Sequence, residues 1–429
     1  MTSTVSVVRE RVVRAARRPP GTLTGVIVAL VVLVLGTGTA AALDIKQRRD
    51  LLVEVSQRGG PVTSAAVRTY QSLSDADATA AGAFLAGGGV EPAAQRERYL
   101  ADIAEAASAL STAAAGAAGS DSLGAVAELT GYLPIYTGLV ETARTYNRQG
   151  LPMGAAYLRE ASGLVRDHML PAAKRLYETE SARLAERQRE AASPGLLPLI
   201  LGLLTLGALV VAQYRLFRAT NRRLNAGLLA STALALAGLG WFAVASLSAN
   251  GHVDASRVDG AAQVRALADA RIEVLGARSD EALTLVARGN GKPYEEHFQQ
   301  TAGELDGLLA KAREAVSQPD TTGPVDTASK TWKYWLDRHK ELRKQDDDGA
   351  YDQAVRIATG TDGDSTGVLA AAIDRELGVA IAAADRRFTD EVAAAGSDLS
   401  AADLAVLVLL LLAAGAVVVG ITPRLREYR

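Results

Sequence analysis

Four stretches of this chain hold no Asp, Glu, Lys or Arg for about 20 residues or more: Pro19–Leu43, Ala191–Tyr214, Leu224–Val253 and Leu404–Pro423. A helix needs roughly 20 apolar residues to cross a hydrocarbon core, so each stretch is long enough for one span. Between them lie two polar, Ala-rich segments of about 150 residues each, the size of ordinary domains. The near-neutral average, a formal net charge of −2 with 48% hydrophobic residues, therefore conceals a segregated chain. Its composition predicts a membrane protein with two large parts outside the bilayer.

Orientation follows from the basic residues, because Lys and Arg in short loops resist translocation and are drawn to the anionic inner leaflet. Arg14, Arg17 and Arg18 precede the first span, Arg215, Arg218, Arg222 and Arg223 crowd the short gap between the second and third, and Arg424 and Arg426 follow the fourth. All three clusters belong on one face, the cytoplasmic one. Because each cluster abuts a span, topology and lipid contact account for it, and a nucleic-acid partner is not expected. The same arginines are also the surface a cytoplasmic partner would meet. The expected layout is a basic tail at 1–22, spans at 23–43, 194–214, 226–248 and 404–422, extracytoplasmic domains at 44–193 and 249–403, an inner loop at 215–225 and an inner tail at 423–429. An alternative reading of the N-terminus is a cleavable signal peptide, with Ala40 and Ala42 at the cleavage positions.

An internal duplication favours a retained first span. Leu23 to Phe217 and Ala226 to Thr422 are each about 195 residues long and each reads span, polar segment, span. "FLAGGGVEPAAQRERYLADIAEAASAL" in the first half resembles "LVARGNGKPYEEHFQQTAGELDGLL" in the second, and "RQGLPMGAAYLREAS" lines up loosely with "DDGAYDQAVRIATG". The span at 226–248 opens the second half and cannot be a cleaved leader, so its counterpart at 23–43 is expected to be an anchor.

Within the polar segments the period is helical. Tyr132, Tyr136, Leu139, Val140, Ala143 and Tyr146 share one face, as do Phe298, Leu305, Leu308, Leu309, Ala312 and Val316, and as do Trp332, Trp335, Leu336 and Leu342. No sustained alternation calls for strands. Breaks at 86–92, 117–122, 147–154, 288–293, 317–324 and 345–352 divide each half into four helices. The expected fold is all-α: four transmembrane helices carrying two tandem antiparallel four-helix bundles. The aromatic stripes are expected in the bundle cores.

Catalytic chemistry finds no constellation here. Cysteine is absent, and His168, His252, His297 and His339 are scattered with no second ligand at helical spacing, so neither metal nor cofactor is expected. "GTGTAA" at 36–41 sits inside a span with no strand before it. The acidic loops "KQDDDGAYDQAV" and "DGDSTGVLAAAI" lack the terminal Glu of a calcium loop. The spans carry no ionisable residue at mid-depth, which disfavours a transporter subunit. They do carry small residues four apart, Gly36 with Ala40, Ser231 with Ala235 and Ala416 with Gly420, a spacing that lets helices approach closely within one chain or across a homodimer.

The bundles flanked by spans resemble the four-helix-bundle sensor domains of chemoreceptors and histidine kinases, without the module those proteins carry after their second span. The whole layout, with "RLFRATNRRLN" as its small inner loop, resembles the actinobacterial four-span GlnX-type membrane proteins. That resemblance implies a relay in a cell membrane: a GlnH-like solute-binding lipoprotein outside and a PknG-like Ser/Thr kinase inside. It carries no motif and assigns no residue. The expected function is a non-enzymatic transmembrane sensor or adaptor, and the alternative is a structural, scaffolding component of the envelope.

Overall fold

A computed structural model of the chain describes residues 19–85, 91–117, 120–193, 195–220 and 225–426. The fold is all-α, with no strand among the described residues. The helices are α1 (Pro19–Glu54), α2 (Gly60–Leu85), α3 (Ala93–Gly116), α4 (Ser120–Arg148), α5 (Met153–Leu164), α6 (Leu170–Ala192) and α7 (Leu196–Thr220) in the first half. The second half has α8 (Ala226–Ala255), α9 (Ala262–Val286), α10 (Lys292–Ala315), α11 (Pro319–Asp347), α12 (Tyr351–Thr359) and α13 (Thr366–Arg426). Four helical runs are long and apolar enough to cross a membrane, and the chain is a multi-pass membrane protein.

The chain divides into two compact units, one formed by residues up to Val53, Gln188–Asp254 and Val392 onward, the other by Glu54–Arg187 and Ala255–Glu391. In the first unit α1 meets α7 through a buried hydrogen bond between the Thr37 and Thr205 hydroxyls at 2.8 Å, and a Cβ added at Gly38 would touch Leu410 of α13. Asn225 caps α8 by accepting from the Gly227 and Leu228 amides, and its amide donates to the Gly420 carbonyl at 2.9 Å. Val32, Leu203, Leu247, Leu404 and Val419 point outward, which suits helices immersed in lipid. Arg48 is buried where α1 leaves its apolar run and donates to the Ala191 carbonyl and the Asn250 side chain.

In the second unit each half contributes its own helices around an apolar interior: α2–α6 in the first half, α9–α12 and the start of α13 in the second. Most of the expected stripe residues face inward. Tyr136, Val140 and Ala143 are buried, as are Phe298, Leu305, Leu309, Ala312, Trp332, Trp335 and Leu342. Trp332 and Trp335 meet edge to face, their centroids 5.1 Å apart. The second half has an apolar core of its own around Phe298, Trp332 and Trp335, and the two halves also pack against each other. α2 packs along α9, and one apolar core draws residues from both halves.

Two local features depart from the sequence expectation. The stretch at 317–324 is largely helical: α11 starts at Pro319, in the first turn where proline's missing N–H costs nothing, and Pro324 is carried inside the helix. Single π-helical turns at Val55–Gly59, Val165–Met169 and Ser256–Ala261 join α1 to α2, α5 to α6 and α8 to α9. The first and third fall at matching places in the duplicated plan and are followed by close packing: a Cβ on Gly60 or Gly260 would collide with Phe388 of α13.

Candidate functional site

Where α2 meets α9, the sequence "SDADAT" of one faces "ARSDEA" of the other, and the contact is polar. Asp77 is 2% exposed and accepts hydrogen bonds from Ser162 and Ser279, each at 2.6 Å. Asp75 takes Arg98 at 2.7 Å and Arg278 at 2.8 Å, and Arg271 bridges Asp374 at 2.6 Å and Gln71 at 2.9 Å. Arg166 reaches across to Asp280 at 3.0 Å, and His297 bonds the same carboxylate. Burial pushes the Asp77 carboxyl above the usual range against the opposing pull of its two serines and Arg166. Asp102, close to this network, is pushed up to about 7 by burial first and by the charge of Asp75 second. Asp75, Asp77, Asp280 and Asp374 each have a donor, as buried charge requires, whereas Asp102 Oδ2 is buried with no hydrogen-bond partner.

The second half keeps a closed polar cluster at the end of its helices away from the π turns. Glu281 accepts from Trp335 Nε1 at 3.0 Å, from His339 Nδ1 at 2.7 Å and from the Thr366 hydroxyl. The other ring nitrogen of His339 lies 3.2 Å from Glu295, and the ring stacks on Phe298 at 3.7 Å. Burial on its own would lower the imidazole's pKa, but the hydrogen bonds to Glu281 and Glu295 outweigh it and raise the value to about 9. His339 is therefore a buried imidazolium that donates from both nitrogens. Scattered histidines looked unremarkable in the sequence, because Glu281 and Glu295 lie 58 and 44 residues away from it.

At the corresponding end of the first half there is an open cleft of about 480 Å³. Its floor is apolar, made by Ala80, Ala83 and Phe84 of α2, Val140 of α4 and Leu158 of α5. Its rim is charged: Glu91 before α3, Arg96 on α3, and Arg144, Asn147 and Arg148 on the last turns of α4. The three arginines are held differently. Arg144 is locked, bonding Glu141 at 2.6 Å and Glu91 at 2.8 Å with its guanidinium 4.2 Å from the Tyr99 ring centroid. Arg96 stays 3.6 Å from both Glu91 and Glu141, beyond hydrogen-bond reach. Arg148 is exposed and has no ion pair among the described residues. A mixed, concave surface of this size suits a small molecule.

The residues singled out in the sequence are spread over both units. Arg14, Arg17, Arg18, Arg222 and Arg223 lie outside the described residues, as do the side chains of Arg424 and Arg426. Arg215 and Arg218 are exposed at the end of α7, with the Arg218 guanidinium 5.8 Å from the Tyr214 ring centroid. Gly36 faces outward with no neighbour within 4 Å of an added Cβ, and Ala40 is half-buried. Ser231 and Ala235 are buried on α8, and the Ala416 carbonyl and Gly420 backbone press against Gly227. None of these residues lines the cleft. Its arginines escaped the sequence reading because an amphipathic helix ordinarily carries charge on its solvated face. Among the described residues no group of three His, Asp or Glu is placed to hold a metal ion.

Residues 51–189, which run from the end of α1 into the last turn of α6 and include the cleft, match the model of a family described as an actinobacterial sensor domain. No curated protein and no solved structure matches the chain.

Proposed function

We propose that this protein, a multi-pass membrane protein with a sensor domain over residues 51–189, is a non-enzymatic sensor that reads an extracytoplasmic signal and hands it to a separate effector inside the cell. One observation carries the reading. The apolar run that begins at Thr24 continues as helix to Leu85, so the helix that would cross the bilayer also supplies Ala80, Ala83 and Phe84 to the cleft. A ligand that prefers one of two helix positions by tenfold biases that equilibrium by about 1.4 kcal/mol, without chemistry of its own. The basic clusters orient this helix with its N-terminus inside and the cleft outside. Output then falls to the inner arginines and a partner that they dock, and the GlnX-type resemblance makes a Ser/Thr kinase that partner and a loaded solute-binding lipoprotein the outer one.

The chain's lack of cysteine makes the sidedness directly testable. In intact cells an impermeant maleimide should label Arg148→Cys and leave Arg218→Cys untouched until lysis. Labelling in the opposite order removes the reading. Proteins recovered with the chain after mild detergent extraction test the relay: a binding lipoprotein or a soluble kinase supports it, and recovery of envelope components alone moves the weight to a scaffold.

A further inference from the structure

The cleft has an internal counterpart that shows what its own residues are for. α3 and α10 are both 24 residues long and begin at Ala93 and Lys292, while α4 and α11 are both 29 residues long and begin at Ser120 and Pro319. Matched from these starts, Arg96 corresponds to Glu295, Tyr99 to Phe298, Val140 to His339, Arg144 to Arg343, Asn147 to Asp346 and Arg148 to Asp347. α2 and α9 match from the π turns that precede them to their last residues, Leu85 and Val286, which sets Ala80 opposite Glu281.

The second half fills this place with its own side chains. His339 bridges Glu281 and Glu295 over Phe298, and Arg343 is clamped by Asp346 at 2.6 Å and Asp347 at 2.7 Å. At the same positions the first half carries Ala80, Val140 and Arg96, and its locked Arg144 is followed by Asn147 and Arg148 instead of two aspartates. The substitutions share one sense. Two bulky polar groups are replaced by small apolar ones, which opens the floor, and three carboxylates are replaced by two guanidiniums and an amide, which makes the rim basic. Arg144 takes Glu91 and Glu141 at hydrogen-bond distance and Arg96 lies 3.6 Å from the same two carboxylates, so three guanidiniums meet two carboxylates at the rim and the exposed Arg148 supplies the excess positive charge.

We infer that the first-half cleft binds a small carboxylate with an apolar body, its anionic group held by Arg96 and Arg148 beside Asn147 and its apolar part on Ala80, Val140 and Leu158. The inference rests on the sensor reading and specifies its ligand class. A carboxylate takes charge-assisted bonds from two guanidiniums, and the floor shields its body from water.

The test uses the purified full chain in a mild detergent and three probes of one shape: 3-phenylpropionate, its neutral amide and 3-phenylpropylamine. Binding is followed by saturation-transfer NMR and thermal shift. The acid should bind at least about tenfold more tightly than the amide or the amine. Arg148→Gln should weaken it about fivefold, with an unaltered thermal midpoint for the ligand-free chain. The double variant Arg96→Glu with Arg148→Asp, which installs the residues of the second half, should reverse the preference in favour of the amine. Equal binding of all three probes, acid binding that survives the double variant, or no binding of any probe at about 10 mM overturns the proposed ligand class. None of these results alters the maleimide pattern, whose failure would instead strike the sensor orientation.

Discussion

The Ser279 hydroxyl donates to the Asp77 carboxylate at 2.6 Å, joining residues 202 positions apart and fastening the first half of the chain to the second. Asp77 is buried with Ser162 on its other oxygen. Asp77→Ala leaves both hydroxyls without an acceptor and should cost about 1–3 kcal/mol per orphaned buried group. Asp77→Asn keeps an acceptor and removes the charge. Because burial raises the folded-state pKa of Asp77, its contribution is fully present below the unfolded value near 4 and is lost as pH rises through the folded value. Asp77→Asn should therefore flatten that loss and be milder than Asp77→Ala at pH 8, as read by thermal midpoints of the purified chain.

His339 carries the second pH dependence. With a folded pKa of about 9 against 6.5 for an ordinary imidazole, its stabilisation is fully present below about 6.5 and lost as pH rises through 9. Fluorescence of Trp332 and Trp335, both fully buried near it, should report falling stability over that interval. His339→Leu leaves Glu281 and Glu295 without their shared cation and should cost roughly 3–5 kcal/mol at pH 7. A pH profile for the variant as steep as that of the wild type would assign the slope elsewhere.

Gly60 and Gly260 both abut Phe388 but should respond differently to an added methyl. A Cβ at Gly60 would lie 2.8 Å from Phe388 Cε1, the far end of the ring, whereas one at Gly260 would lie 2.7 Å from Cβ and 2.8 Å from Cα. Each alanine variant should be destabilised by about 1–3 kcal/mol through overpacking. Adding Phe388→Ala should relieve Gly60→Ala and leave Gly260→Ala unrelieved, since Cα and Cβ remain. A double-mutant comparison of thermal midpoints decides it.

In the membrane unit the close approach is at Gly227, where an added Cβ would collide with the Gly420 Cα and sit 2.7 Å from the Ala416 carbonyl. Gly227→Leu should lower detergent stability markedly, by at least about 1–3 kcal/mol. Gly36→Leu should be nearly silent, because nothing lies within 4 Å of its added Cβ. Comparable losses in both variants would place a further helix against Gly36, as in a dimer.

Local chemistry determined much of this protein. Charge-free runs of span length, helical periodicity in the stripes around Tyr136 and Trp335, and the repeated order of segments all act over a few residues or one span, so a linear reading recovers them. That reading also recovered the all-α class, and its expectation of a sensor agrees with the family model matched over residues 51–189. Only tertiary structure decided that α2 and α9 unite the halves, that Asp77 finds Ser279, that His339 is an imidazolium between two glutamates, and that Arg96 and Arg148 border an open cleft while Glu295 and Asp347 serve a closed cluster. Those outcomes depend on which groups lose their water together. Partners 44 to 202 residues apart set that, and no short-range pattern records it.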